Sequence, residues 1–285
     1  MSSDTAEGTS LAERMSVRAT ETPLVFTGAT EDYAGLGIYG GHYLGQALAA
    51  GFKTVEEPKL AHSFHAYFLR RGDPQAQLDY HVASLRESRG GDVRAISARQ
   101  NGMDVFHMLA SFKLPEPGDE HQKNAPDIAS AEAVVAAREK RGEPSPPFPI
   151  TKGGRVQMEF ASASFRNFDP SEPPALQTWM RVLDDKNLSE RERQTVLAFL
   201  SDGTLMFNSV LPYGQPFQTH RLTSLDHSAW FHRGTDPTDW LLFDQRSTAA
   251  ADGRGMNEGE IYTSDGQLVM TCAQESMLRR IKLAA

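Results

Sequence analysis

The sequence predicts an α+β protein built from two similar units, each with one long helix lying on an antiparallel sheet. Three observations lead to this fold class. Short motifs recur at a constant spacing in the two halves of the chain, and a proline-rich stretch separates the halves. In each half a helical segment precedes several strand-like runs, and strands joined by hairpins form antiparallel sheets.

The internal repeat is carried by matching motifs in one register. Ala66-Tyr67-Phe68 in the first half corresponds to Ala229-Trp230-Phe231 in the second, and Asp73-Pro74 corresponds to Asp236-Pro237 at the same spacing. A run of matches in one register rarely arises by chance. We therefore expect both halves to share one fold through duplication, and repeats of this kind define the architecture of a chain.

The proline-rich stretch covers residues 115–149 and is interpreted as a linker between units at 1–114 and 150–285. Inside it, residues 130–141 predict a short helix. Ser130 can cap this helix, basic residues close it and Gly142 follows it.

The repeated unit has the same order of elements in both halves. The first helix is predicted over residues 41–55, where apolar residues follow a helical period, with strands at 62–69, 78–85, 93–100 and 105–113. The second helical run covers residues 191–210, with strands at 224–232, 240–246, 259–263 and 268–279. Asn101-Gly102 and Asp265-Gly266 suit two-residue hairpin turns, which require positive φ at both central residues.

The composition excludes several classes of protein. The chain has 285 residues, of which 39% are hydrophobic, and its net charge is −8. An acidic chain without a basic block is a poor candidate for nucleic-acid binding. No apolar run approaches the roughly 20 residues that span a bilayer, and the N-terminus lacks the apolar core of a signal peptide. We expect a cytoplasmic protein.

A metal centre and a disulfide framework are also excluded. Cys272 is the single cysteine, so neither an internal disulfide nor a cysteine zinc cluster is possible. No His-Glu-x-x-His or comparable group of metal ligands occurs. We therefore predict that the protein uses no metal or other cofactor.

Two polar residues stand out in apolar surroundings. Asp202 interrupts the apolar helical run of the second half, and a carboxylate there is costly unless it is hydrogen-bonded or faces a cleft. With Gly203, it could equally well end a helix. Gln274 lies on the apolar face of the last predicted strand, where a hydrogen-bonded core glutamine is the simpler interpretation.

Hydroxyl groups and a histidine occur together in Thr223-Ser224-Leu225-Asp226-His227. We do not interpret them as a nucleophile and its base, because neighbouring residues of a strand point to opposite faces. The chain also lacks the Gly-x-Ser-x-Gly elbow of serine hydrolases. Gly40-Gly41 opens the first helix, where backbone N–H groups can face an anion or oxyanion.

Four segments resemble the bacterial acyl-CoA thioesterase II family, which has a double hotdog fold. They are residues 40–48, 62–74, 225–233 and 273–279, and the similarity extends over residues 24–279. The resemblance implies hydrolysis of fatty acyl-CoA to free acid and CoA, a reaction of lipid metabolism. The double hotdog is the pair of helix-wrapped sheets inferred above.

The resemblance also implies three residues that activate water. By motif these are Asp202, Ser224 and Gln274, although Thr223 could take the place of Ser224. Within the repeat, Leu44-Gly45-Gln46 aligns with Leu200-Ser201-Asp202. The first half then offers an amide where the second has a carboxylate, which favours one active site per chain.

Other matching segments imply contacts with the acyl-CoA substrate. Gly41, His65 and Tyr67 are the expected substrate-binding residues. Residues 89–93 depart from the family pattern with Gly90-Gly91-Asp92, a change that bears on acyl-chain or CoA contacts. Because hotdog sheets have exposed edges, a homodimer or larger homo-oligomer is expected.

Two other functions remain open at this point. A hotdog hydratase or dehydratase would need a histidine paired with a carboxylate, and His65 or His227 would have to supply it. A non-catalytic or weakly active acyl-CoA-binding protein could also retain the fold, because fold alone does not imply function.

Overall fold

The computed structural model describes residues 9–33, 35–146, 155–162, 164, 167–183 and 187–281. Within this part of the chain, thirteen strands form one antiparallel sheet, and the longer helices lie on it. The α+β class predicted from the order of helical and strand-like segments is confirmed.

The first half contains two helices and six strands. In chain order they are α1 (Leu11–Met15), β1 (Val17–Ala19), β2 (Val25–Gly28), α2 (Gly40–Phe52), β3 (Leu60–Phe68), β4 (Leu78–Arg86), β5 (Gly91–Gln100) and β6 (Met103–Lys113). The predicted helix and its four following strands are all present. The sequence did not predict α1, β1 or β2, which are shorter than the usual period-based signal requires.

The second half follows a linker helix, α3 (Ala131–Lys140). Its elements are β7 (Val156–Phe160), β8 (Ala175–Val182), α4 (Glu190–Ser201), a 3₁₀ helix (Leu205–Tyr213), β9 (His220–Ser224), β10 (Asp226–Phe231), β11 (Leu241–Ala251), β12 (Arg254–Thr263) and β13 (Leu268–Arg280). The single helix predicted over residues 191–210 is wrong, and the alternative left open by the sequence, that Asp202 and Gly203 end a helix, is confirmed. A 3₁₀ helix follows them.

The sheet has the order β1-β2-β4-β5-β6-β3-β10-β13-β12-β11-β8-β7, and β9 also pairs with β13. Read inward from either edge, the six strands that each half contributes to this order, β9 being outside it, occur in the same chain order. The halves meet where β3 pairs with β10, with His65 opposite Ser228. The two copies of the repeated Ala-aromatic-Phe motif therefore lie side by side at the centre of the sheet.

Helices α2 and α4 pack against each other unusually closely. A Cβ atom on Gly41 would lie 2.3 Å from the carbonyl oxygen of Phe199, and one on Gly45 would lie 3.0 Å from that of Thr195. Only glycine permits this separation of the two backbones. The contact runs antiparallel, so the N-terminus of α2 meets the C-terminus of α4.

Helix α3 confirms the short helix predicted over residues 130–141. Ser130 caps it by accepting a hydrogen bond from the Ala133 backbone, and Gly142 follows its end with φ of 68°. The indole of Trp179 donates to the carbonyl of Ala129 at 3.0 Å. The linker thus packs on the second half, over a small apolar cluster beside the main core.

Of the two predicted two-residue hairpin turns, one is confirmed and the other is wrong. Asn101 and Gly102 both have positive φ and join β5 to β6 as expected. In the loop between β12 and β13 only Gly266 has positive φ, so Asp265-Gly266 is not the predicted two-residue turn. Asp252 and Gly253, which were not predicted, make such a turn between β11 and β12.

Among the described residues, no helix combines the length and the hydropathy needed to cross a lipid bilayer.

Candidate active site

Asp202 lies at the C-terminal end of α4, facing the start of α2. Its side chain is only 5% exposed. A Cβ atom on Gly40 would lie 2.5 Å from Asp202 Oδ2, so glycine lets the helix start approach the carboxylate. Because a helix N-terminus carries a partial positive charge, α2 stabilises the ionised form of Asp202.

Burial works against that stabilisation. It raises the pKa of Asp202 from its ordinary value near 3.8 to about 7, although hydrogen bonds from Gln274 and the Gly41 backbone lower it. A carboxylate with a pKa near neutrality can both take up and release a proton at physiological pH, as a general base must do.

Gln274 joins Asp202 from the buried face of β13, which confirms the alternation predicted for this strand. Its Nε2 atom lies 2.5 Å from Asp202 Oδ1 and 3.1 Å from His227 Nδ1. Its Oε1 atom is buried and has no hydrogen-bond partner among the described residues. One side of the amide is thus fully engaged and the other is a free acceptor.

His227 also belongs to this group, although the sequence named it only for the alternative hydratase chemistry. The ring is fully buried, its Nε2 atom lies 3.0 Å from Ser201 Oγ, and its Nδ1 atom lies 3.8 Å from Asp202 Oδ1. Burial lowers the pKa of His227 to about 3, so the ring is neutral near pH 7. The available signal was strand alternation, which places His227 on the inward face with Ala229.

Ser224 lies near this group but outside its hydrogen bonds. Its hydroxyl contacts Met206 Sδ at 3.7 Å, and the residue lines the same cavity as Asp202. The neighbouring Thr223 is more exposed, and its hydroxyl donates to the carbonyl of Leu222. The structure therefore brings Asp202 and Gln274 into contact and leaves Ser224 on the cavity wall.

The cavity beside Asp202 has a volume of about 530 Å³. Its walls come from the loop before α2, the end of β3, the C-terminal end of α4 and strand β9. The lining side chains are predominantly aromatic and aliphatic, and include Tyr33, Tyr39, Phe68, Met206, Phe207, Phe217 and Leu222. A concave, mostly apolar cavity with a few convergent polar groups is typical of a small-molecule site.

The predicted substrate-binding residues separate into two groups. Gly41 lies at the start of α2, and its backbone amide binds Asp202. His65 and Tyr67 lie on the opposite, open face of the sheet and do not line the cavity. His65 Nδ1 lies 3.0 Å from Ser228 Oγ. The expectation that these two residues contact a substrate beside Asp202 is corrected, because strand alternation directs them outward.

The C-terminal ends of α2 and α4 hold different polar groups. Counted from the first residues of the two helices, Asp202 is level with Phe52, whereas the repeat alignment pairs it with Gln46. At that end of α2, the guanidinium of Arg191 donates to the carbonyls of Phe52 and Val55, each at 3.1 Å. A cation from the start of α4 thus lies at the C-terminal end of α2, whereas the backbone amide of Gly41 at the start of α2 lies at the carboxylate that follows α4.

The departure at Gly90-Gly91-Asp92 lies away from the cavity. Asp92 is buried and accepts a hydrogen bond from Lys59 Nζ at 2.8 Å. Arg94 lies 3.9 Å from the same carboxylate. We assign this segment to a buried ion-pair network that supports β5.

Cys272 is buried, and burial raises the pKa of its thiol well above the ordinary range. It therefore behaves as a small apolar residue. Within the described ranges, no three side chains of the metal-ligating types come together.

Family models match both halves of the chain. The acyl-CoA thioesterase N-terminal domain matches residues 29–113, and the acyl-CoA thioesterase C-terminal domain matches residues 130–278. Acyl-CoA thioesterase 2 of Haemophilus influenzae is 32% identical over 267 residues, which are 90% of this chain and 92% of that protein. The chain belongs to the acyl-CoA thioesterase II family. The predicted family and the predicted class, a thioester hydrolase, are both confirmed.

Solved structures agree with the assignment to this thioesterase family. The acyl-CoA thioesterase II TesB2 of Mycobacterium marinum has a TM-score of 0.78 at 27% identity, covering 94% of this chain and 97% of that chain. A hot dog fold protein from Alicyclobacillus acidocaldarius has a TM-score of 0.76 at 19% identity, covering 95% and 97%. The hotdog fold is thereby confirmed.

The hotdog fold by itself does not select one reaction. The CurJ dehydratase also shares it, with a TM-score of 0.54 at 10% identity over 94% of this chain and 97% of that chain. The reaction of this thioesterase family member therefore has to be argued from its site.

Proposed function

We propose that this protein hydrolyses fatty acyl-CoA to free acid and CoA, with Asp202 as the general base that activates water. One observation carries the proposal: a buried carboxylate with a pKa near 7 borders an apolar cavity and is bonded to an amide whose oxygen is free. A water between Asp202 and Gln274 Oε1 could donate one proton to each, leaving a lone pair for attack.

The proposed reaction needs no covalent acyl-enzyme. The water oxygen bonds to the thioester carbonyl carbon while Asp202 takes up its proton. The backbone N–H group of Gly40, at the start of α2, would stabilise the oxyanion. When the tetrahedral intermediate collapses, the C–S bond breaks and the CoA thiolate takes the proton from Asp202. Ser224, on the cavity wall, is proposed to hold the water from a third side.

The chemistry of the cavity walls supports an orientation for the substrate. Met206, Phe207 and Phe217 form an apolar wall suited to an acyl chain. Arg71, which also lines the cavity, donates to the carbonyl of Leu36 at 3.4 Å and forms no ion pair within the described part of the chain. A free guanidinium binds phosphate well. We propose that the CoA phosphates lie at Arg71.

We also propose that the chain arose by duplication, with repeats at 1–114 and 150–285 joined by a linker at 115–149. The matching strand order of the two halves and the repeated motifs support this division. Assembly into a homodimer or larger oligomer is proposed as well. Its support is the open face of the central strands, where Tyr67 is 60% and Trp230 is 38% exposed.

The hydratase alternative has less support than hydrolysis. His227 is close to Asp202, but the ring does not line the cavity, and both of its nitrogens have partners in the protein. His65 lies on the other face of the sheet. A binding protein without turnover remains an outcome of the test below.

The test measures thiol release from acyl-CoA substrates of increasing chain length, for the wild type and Asp202→Asn. Loss of general-base catalysis is expected to reduce kcat by about 10²–10⁴-fold while acyl-CoA binding is retained. Asp226→Asn is the control, because Asp226 is a partly buried carboxylate outside the cavity. Tight binding without release by the wild type would indicate a binding protein. Release that survives in Asp202→Asn would contradict the proposed site.

A further inference from the structure

The side-chain amide of Gln274 can offer its oxygen to a water in only one of its two orientations. In the orientation described, Nε2 donates one proton to Asp202 Oδ1 and the other to His227 Nδ1. If the amide were turned by 180°, its oxygen would lie 2.5 Å from a carboxylate oxygen, which is strongly repulsive when Asp202 is ionised. The orientation therefore decides whether Oε1 is available to a water.

When Asp202 is protonated, that repulsion disappears and Asp202 no longer selects the orientation. His227 does select it, provided that Nδ1 carries a lone pair and Nε2 carries the proton. That tautomer is maintained by Ser201, whose Oγ lies 3.0 Å from His227 Nε2 and donates its own proton to the carbonyl of Ala198 at 2.9 Å. The chain of hydrogen bonds ends on the backbone of α4.

Every side chain of this hydrogen-bonded chain is shielded from solvent. Gln274, His227 and Ser201 are each 0% exposed. Solvent therefore cannot replace a missing partner of His227 or Ser201 without a change in packing, and an unsatisfied buried donor is costly. The pattern of hydrogen bonds is consequently a fixed property of the folded protein.

Equivalent positions in the two central strands hold different residues, which indicates that His227 has a role beyond filling the core. Strands β3 and β10 pair symmetrically about His65 and Ser228, so Phe64 occupies in β3 the place that His227 occupies in β10. Both side chains are fully buried. An apolar ring thus fills this place in the first half, and histidine is present only in the half that contains Asp202 and Gln274.

We infer that His227 and Ser201 are positioning residues, which hold the Gln274 amide with its oxygen toward the attacking water. The inference rests on the proposed function, because it assigns to these residues a role in the same hydrolysis. Neither residue touches the substrate, and both act through Gln274.

The test compares His227→Phe, which copies the first half, with His227→Asn, whose Oδ1 can replace Nδ1 as the acceptor. We expect His227→Phe to lower kcat by about 10²-fold with KM unchanged, a loss typical of misplaced catalytic groups. His227→Asn should recover most of the lost kcat. His220→Phe is the control, because His220 is also buried but bonds Thr219 outside this network.

Ser201→Ala tests the inference without altering the imidazole ring of His227, because the substitution removes only the Ser201 hydroxyl group. We expect a lower kcat, an unchanged KM and a melting temperature near that of the wild type. Wild-type kcat in Ser201→Ala or in His227→Phe would overturn the inference, as would equal loss in His227→Phe and His227→Asn. If Asp202→Asn is inactive while His227→Phe is fully active, the inference fails and the proposed function stands.

Discussion

The chemistry of single residues in this protein depends on how deeply each one is buried. Asp202 and His227 lie in one buried group, and burial moves their pKa values in opposite directions, to about 7 and about 3. Burial disfavours the charged form in both cases. The pair is therefore mostly uncharged in slightly acidic solution, and only the carboxylate ionises as the pH rises.

The first prediction concerns the pH dependence of hydrolysis. A general base must be ionised, so kcat/KM for an acyl-CoA should rise with pH through about 7, the pKa of Asp202. For a single ionisation centred there, the rise between pH 6 and pH 8 is about tenfold. The residual activity of Asp202→Asn should lack this step. A wild-type profile that is flat over this range would contradict the role of Asp202.

The second prediction concerns stability, where the sign is opposite to that of activity. The folded-state pKa of Asp202 lies above its unfolded value, so the stability due to the protonated group is complete below about pH 4 and is lost as pH rises through 7. Relative to Asp202→Asn, which cannot titrate, the wild-type free energy of unfolding should fall by about 3–4 kcal/mol from pH 4 to pH 8. Urea unfolding at each pH measures it, and a constant difference would refute it.

The sequence identified Asp202 and Gln274 as candidate site residues, but it did not identify the residues that contact them. Asp202 and Gln274 were visible because each is a polar group in an apolar pattern. His227 was visible as an inward-facing residue, yet nothing local showed that Ser201 and Gln274 would contact it. His65 and Tyr67 were assigned to the substrate from a motif, although the alternation of β3 directs them to the open face.

At the scale of elements, the site depends on the close packing of α2 on α4. The two helices place the positive end of one beside the carboxylate at the end of the other, and glycines at the interface allow this. The sequence predicted both helices but placed the end of α4 too late. The apolar run continues past Asp202 into a 3₁₀ helix, which periodicity alone does not distinguish from an α-helix.

The third prediction tests this interface. Gly45→Val should reduce the free energy of unfolding by about 1–3 kcal/mol through overpacking, because the new side chain meets Met15 and the Thr195 carbonyl. Gly90→Val is the matched control. Gly90 has no atoms within 4 Å of its added Cβ and no positive φ. Chemical unfolding of both variants measures the difference, and equal stability would show that α2 and α4 tolerate separation.

At the scale of the whole molecule, one sheet joins the two halves, and the cavity draws its walls from both. The start of α2 and the end of β3 come from the first half, whereas α4, β9 and the 3₁₀ helix come from the second. Neither half could therefore form this site alone. The proposed direction of the substrate, with phosphates at Arg71 and acyl chain toward Phe217, crosses this boundary.

The fourth prediction tests that direction. Arg71→Ala should raise KM for acyl-CoA about tenfold, the loss of one charge-assisted contact worth about 1.5 kcal/mol. It should leave hydrolysis of the matching acyl-pantetheine unchanged, because that thioester lacks the nucleotide phosphates. Arg18→Ala, an exposed arginine on β1 outside the cavity, serves as the control. An equal rise in KM for both thioesters would contradict the proposed phosphate contact.

Local sequence patterns were enough to predict the α+β class, the family, the two long helices with the main strands that follow each of them, and an acid and an amide in apolar surroundings. These follow from periodicity, capping and motif, all of which are local. Tertiary contacts alone bring His227 to the Gln274 amide and Ser201 to His227, place Arg191 at the end of α2, and turn His65 and Tyr67 away from the cavity. The physical reason is that these contacts join residues far apart in the chain, through strand pairing and helix packing that no local pattern encodes.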